Sequence, residues 1–214
     1  MSEPLRKYVT EFIGTFFLVF TVIAAVNTAG ANSNLAPLGI GAVLMVMIFA
    51  GGHISGGHYN PAVSIAAFVR GRLDSSDLVP YIVAQLIASV VAALLGLWMF
   101  DDHAAPHWTG KALGMAFVVE VLFTFALAYV VLNVATSKDH PDNSFYGLAI
   151  GFTVLAGAVA VGAISGAAFN PAVAFGITVA KMSSWGNIWV YWVAQVIGGV
   201  AAGLTFKALN PTDA

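Results

Sequence analysis

The stretch "FNPAVAFG", Phe169–Gly176, sets an Asn and a Pro inside a long apolar run, and its core "NPAV" has already occurred at Asn60–Val63. Asn is a strong helix N-cap, and Pro is favoured at the first helical position because its missing N–H would lack an intrahelical partner anyway. Each copy therefore predicts a helix start, at Pro61 and at Pro171. The apolar pieces that follow, Pro61–Arg70 and Pro171–Lys181, are about 10 residues long, hence about 15 Å as helix and half the ~30 Å hydrocarbon core of a bilayer. A helix N-terminus carries roughly half a positive charge. Two such ends meeting from opposite leaflets would place a positive focus at mid-membrane.

The rest of the chain says where half-helices can sit. Of 214 residues, 59% are hydrophobic and 8% charged, against roughly 25% charged in soluble domains. A net charge of −2 gives no reason to expect nucleic acid, and the absence of Cys excludes a disulfide framework or thiolate metal site. Apolar runs of spanning length fall near Tyr8–Asn27, Ala36–Ile54, Val79–Phe100, Ala112–Ala135, Phe145–Ile164 and Asn187–Ala208. They predict six transmembrane helices. The first run is interrupted by Glu11 and is about 20 residues long, the length of a full span, which argues against a cleaved signal peptide.

The two halves are copies. A shift of 110 carries Leu38-Gly39-Ile40-Gly41 onto Leu148-Ala149-Ile150-Gly151, Ile54-Ser55-Gly56 onto Ile164-Ser165-Gly166, Tyr81 onto Tyr191 and Ala84-Gln85 onto Ala194-Gln195. Near the start the shift is 109, pairing Glu11 with Glu120 and Thr15-Phe16 with Thr124-Phe125. Each half holds three spans, an odd number, so the second must enter the membrane upside down. Inverted repeats with interrupted segments at matching positions build midplane sites in transport proteins. With both termini cytoplasmic, Arg6, Lys7, Arg70, Arg72, Lys138 and Lys207 lie inside and Lys111 and Lys181 outside, which obeys the positive-inside rule.

Before each Asn, "SGGHY" and "SGAAF" should run extended, with carbonyls that no helix pairs, and such backbone survives at this depth only when it lines water or is buried in protein. The Asn oxygen can cap the helix while its NH2 keeps donors for a lumen. Through "HISGGHYNPAV" and "ISGAAFNPAV" the chain resembles the aquaporins, or major intrinsic proteins, from Glu11-Phe12-Ile13-Gly14-Thr15 to Trp189–Gly203. The resemblance implies an all-α membrane protein, an aquaporin-like inverted repeat of six transmembrane helices plus two re-entrant half-helices. It would be a single channel domain over 1–214 with repeats at 5–105 and 112–210, assembled as a homotetramer. By position in the family motifs, Asn60 and Asn170 would be the central pore donors. Gly56, Gly57, His58, Tyr59, Gly166, Ala167, Ala168 and Phe169 would supply pore carbonyls, and Glu11 and Glu120 would brace the re-entrant loops. Neither cofactor nor metal is implied.

Family members mostly carry Arg after the second Asn-Pro-Ala, where this chain has Val173. Counting from the Asn anchors, the other constriction positions fall at Ile40, Ala158 and Ala167. This all-apolar set is similar to the vacuolar-membrane branch and implies a wide filter without a cationic donor, whereas Ala174 and Tyr191-Trp192 resemble water channels. The expected function is passive permeation of water and small uncharged solutes such as urea, glycerol, peroxide, ammonia or metalloid acids, in a cell (inner or plasma) membrane. The alternatives are a strict water channel and a secondary transporter of a small neutral solute. Of the remaining residues, Gly199 and Gly203 suit close helix packing within the subunit, Asp74 a helix cap, and Trp108 an outer interfacial anchor.

Overall fold

The computed structural model describes residues 1–28, 35–100 and 107–213, and among these every regular element is a helix. In chain order they are α1 (Glu3–Thr28), α2 (Ala36–Ser55), α3 (Pro61–Arg70), α4 (Ser75–Met99), α5 (Gly110–Thr136), α6 (Tyr146–Ser165), α7 (Pro171–Val179) and α8 (Ile188–Leu209), the last preceded by a 3-10 turn at Trp185–Asn187. Six are long and apolar enough to cross a membrane, while α3 and α7 have 10 and 9 residues. This is the expected all-α arrangement of spans and half-helices.

The helix ends depart from expectation both ways. α1 begins at Glu3 rather than Tyr8 and α4 at Ser75 rather than Val79, because polar residues continue a helix beyond the hydrocarbon that hydropathy detects. α7 is shorter than expected: it stops at Val179, and Lys181 turns the chain with φ 60°. Asp74 sits at the N-cap of α4, but its side chain makes no capping hydrogen bond.

The packing repeats with the sequence. α1 packs on α2 and α4 as α5 packs on α6 and α8, and α3 lies on α8 as α7 lies on α4. α2 and α6 cross each other where Gly41 meets Gly151; a Cβ on either would stand 2.7 or 2.5 Å from the opposing carbonyl oxygen. Gly199 and Gly203 admit α3 to α8 in the same way, a Cβ on Gly199 falling 2.5 Å from the Ala62 oxygen. Outward faces stay apolar, with Trp98 81% and Val159 70% exposed, whereas Glu11, Glu120, Gln85 and Gln195 are fully buried. Such inversion of the usual distribution fits a chain solvated by lipid.

Polar ties gather the two chain ends on one side of the molecule, its terminal side. Lys7 Nζ and the Tyr8 hydroxyl donate to Asp77 at 3.0 and 2.8 Å, joining α1 to α4. Near the C-terminus, Asp213 accepts from Arg70 Nη2 at 2.7 Å and from the Lys138 N–H at 2.8 Å, tying the tail to α3 and to the α5–α6 loop. The Arg70 guanidinium also lies 4.4 Å from the centre of the Phe206 ring. Burial pushes the Asp213 carboxyl up, but the Lys138 N–H, Arg70 and Ser137 outweigh it and hold the group at about 2.

Two outcomes follow from this packing. Gly151→Val should destabilise the fold by about 1–3 kcal/mol through overpacking, visible as a lower melting temperature in detergent, while Gly39→Ala, which meets nothing within 4 Å, should be tolerated. A carboxyl depressed on folding stabilises above its unfolded value near 3.9 and loses that contribution as pH falls through its folded value. Asp213→Asn should therefore melt below the wild type at pH 6, and the gap should close between about pH 4 and pH 2; a gap independent of pH would contradict the ion pair.

Candidate functional site

Asn60 and Asn170 have extended backbone, φ −159° and −156°, and cap α3 and α7. The Asn60 Oδ1 accepts from the N–H of Ala62 at 2.9 Å and of Val63 at 3.4 Å, and Asn170 repeats both bonds with Ala172 and Val173 at the same distances. Each side-chain NH2 then reaches into the other half: Asn60 Nδ2 donates to the Phe169 carbonyl at 2.9 Å, and Asn170 Nδ2 to the Tyr59 carbonyl at 2.8 Å. The two half-helix starts are thus locked together by reciprocal bonds. Each amide retains a second N–H, and both Asn border the central cavity.

Holding the Asn there requires contorted backbone just before them. Tyr59, Ala167 and Phe169 have φ of 47°, 52° and 48°, left-handed conformations that cost a non-glycine residue on the order of 1–3 kcal/mol. Two buried carboxyl groups offset this. Glu11 accepts from the Ser55 hydroxyl (2.7 Å), the N–H groups of His58 (2.9 Å) and Tyr59 (2.6 Å), and Gln85 Nε2 (2.8 Å). Glu120 accepts from Ser165 (2.6 Å), Ala168 (3.1 Å), Phe169 (2.9 Å) and Gln195 (2.8 Å), the same set displaced by one repeat. The Tyr81 and Tyr191 hydroxyls donate to the Ser55 and Ser165 carbonyls at 2.7 and 2.6 Å, closing the ends of α2 and α6.

The central cavity measures about 60 Å³, room for a short file of waters at roughly 10–15 Å³ of such space each. On the terminal side it meets a vestibule of about 610 Å³ at His58 and Val131. On the opposite side it meets a cavity of about 230 Å³ at Val22, Val26 and Gly166. Ile40, Ala158, Ala167 and Val173 all border the central cavity. So do Gly57, His58, Gly166 and Ala168, whereas Gly56 borders the vestibule. Tyr59 and Phe169 stand behind the wall with buried rings, and each of their carbonyls already accepts one Asn hydrogen bond. Trp108 packs on the Tyr191 ring, centroids 5.2 Å apart, and borders the cavity opposite the terminal side. His53 is exposed, and no group of His, Cys, Asp and Glu suited to a metal occurs among the described residues.

Sequence reasoning paired Gln85 with Gln195 and Tyr81 with Tyr191 without giving them roles. Their signal was present: polar side chains repeated in register within apolar spans have a buried partner to meet. Asp77 and Asp213 carried no comparable signal.

A model of the major intrinsic protein family matches residues 1–206. The chain belongs to that family. It is an integral, multi-pass membrane channel and not an enzyme. The glycerol uptake facilitator protein-like 6 of Lactiplantibacillus plantarum is 36% identical over 225 residues, covering 98% of this chain and all of that protein. Aquaporin TIP1-1 of Arabidopsis thaliana is 39% identical over 96% of this chain and 87% of its own length. The X-ray structure of the aquaglyceroporin from Plasmodium falciparum superposes with a TM-score of 0.83 at 24% identity, over 98% of both chains, and so shares the fold.

Glu120→Ala leaves four donors without their acceptor, at about 1.5–3 kcal/mol for each hydrogen bond to a charged group. It should abolish recovery of monodisperse protein from detergent, whereas Gln195→Leu, which removes one of the four, should lower the melting temperature yet leave a folded chain. Equal recovery of both variants would contradict the bracing geometry.

Proposed function

We propose that this major intrinsic protein is a channel for passive permeation of water and small uncharged solutes, the class that includes urea, glycerol, peroxide, ammonia and metalloid acids. The observation that carries the reading is the pair of reciprocally locked Asn amides beside a cavity whose filter positions hold only Ile40, Ala158, Ala167 and Val173. A permeating molecule accepts a hydrogen bond from each Asn at the centre and donates to carbonyls of the re-entrant segments. The positive ends of α3 and α7 repel cations and hydronium there. With Val173 in place of a cation, charge exclusion rests on those two helix ends, and the filter is wide and without an ionic donor. The names of the relatives, a glycerol uptake facilitator-like protein and an aquaporin, point to the same solute class.

In this reading both termini are cytoplasmic, four copies assemble, each with its own pore, and the host is a cell membrane. Residues 5–105 and 112–210 form two inverted halves of one domain. A coupled transporter would need ligands for a driving ion in the bundle. The oxygens of Glu11 and Glu120 each already accept two hydrogen bonds, which speaks against that alternative.

Stopped-flow swelling of reconstituted vesicles tests the proposal. Wild-type vesicles should swell faster than protein-free ones in gradients of urea and glycerol as well as shrink faster in an impermeant osmolyte. Val173→Arg should slow urea and glycerol while sparing water; unchanged urea and glycerol rates would remove Val173 from the filter.

A further inference from the structure

The four filter positions have counterparts one repeat away, on the terminal side of the Asn pair. Ile150 answers to Ile40, Ile48 to Ala158, Gly57 to Ala167 and Val63 to Val173, each 110 positions removed. All four counterparts border the same central cavity as the filter itself. The passage therefore has two rings of matching construction, and they differ in bulk. One ring has a single Ile with two Ala; the other has two Ile, and adjacent to it His58 stands where the re-entrant segment of the other repeat has Ala168.

The two rings also differ in accessibility. Ile48 and Ile150 are 2% and 3% exposed and Gly57 is buried, whereas Ala158, Ile40 and Ala167 are partly exposed; only Val63 and Val173 are buried alike. The wall from α1 and α5 behaves alike: Val131 on the terminal side is buried, while its counterpart Val22, one repeat of 109 away, is partly exposed. His58 is fixed in this narrow zone, its Nδ1 lying 3.0 Å from the Ser64 hydroxyl and its ring edge-on to Tyr81 at 5.3 Å. Ser64 in turn accepts from Gln85 Nε2 at 3.1 Å, so the ring is held by the network that pairs Glu11. The second repeat has Ala174 in place of Ser64 and lacks this support.

We propose that solute size is selected at the terminal-side ring of Ile48, Ile150 and Val63, beside His58, with Ile48 the principal specificity-determining residue, and that the filter around Val173 is the wider of the two. The inference rests on the uncharged-solute channel proposed above. An Arg after the second Asn-Pro-Ala would make the opposite ring the narrower; a Val there hands discrimination to the ring that kept its bulk. The selected class is neutral polar molecules able to pass single file between two branched aliphatic side chains, so water passes most freely and three-carbon polyols least.

The test is the ratio of glycerol to water permeability in vesicles reconstituted with full-length chain. Ile48→Ala should raise the ratio about tenfold, the low end of what a mismatch of one methylene discriminates, and by several-fold more than Ile40→Ala does. Ile48→Val, a milder change that spares folding, should raise it by a smaller factor. Both variants should keep water permeability above that of protein-free vesicles. A larger gain from Ile40→Ala than from either Ile48 variant would place size selection at the opposite ring and overturn the inference while leaving the channel intact. Wild-type vesicles no more permeable to water than protein-free ones would instead overturn the channel reading itself.

Discussion

Backbone that leaves a helix in the middle of a bilayer has no water to satisfy its N–H and C=O groups, and each one left unpaired costs several kcal/mol. This chain breaks its backbone there twice. Glu11 and Glu120 answer that constraint, each accepting two backbone N–H bonds from a re-entrant segment and two side-chain bonds from Ser and Gln partners. Buried acids are costly in a membrane, so their presence in α1 and α5 makes sense only together with the donors they serve. The left-handed turns at Tyr59, Ala167 and Phe169, the Asn caps and the crossed Asn–carbonyl bonds all presuppose this pairing.

The two repeats agree where backbone is held and differ at part of the passage and its surroundings. Glu, Ser, Tyr, Gln, Asn and Pro recur at every bracing position, while Ile48 faces Ala158, His58 faces Ala168 and Ser64 faces Ala174 across the repeat. An inverted duplication needs identical scaffolding in both copies because both half-helices solve the same hydrogen-bonding problem. The lumen has no such requirement, and its two ends meet solutes from opposite compartments. Selectivity is therefore free to reside in the differences.

Much of this was legible before any coordinates. Asn-Pro is a local signal, so the starts of α3 and α7 fell at Pro61 and Pro171 as expected. The family resemblance, counted from the Asn anchors, picked out Ile40 and Ala158, which do border the central cavity, and the bulk of six apolar runs marked the six spans. Helix ends were less legible, since hydropathy marks hydrocarbon and not hydrogen bonding; Glu3 and Ser75 begin helices outside it. Partnerships outside the repeated motifs were not legible. Nothing near Asp213 announces that it will meet Arg70 at 2.7 Å, and the bonds that the Tyr59 and Phe169 carbonyls accept from the opposing Asn come from contacts that only the assembled halves create.

The central claim is that two opposed half-helices hold Asn60 and Asn170 against one continuous file of water. The most direct measurement is an experimental density map of the chain in lipid nanodiscs at a resolution that shows ordered water. Single-file water peaks linking the two mouths, with one peak in hydrogen-bond range of both Asn Nδ2 atoms, are the predicted result. A dry interval between the Asn side chains, or either amide turned toward lipid, would contradict the account.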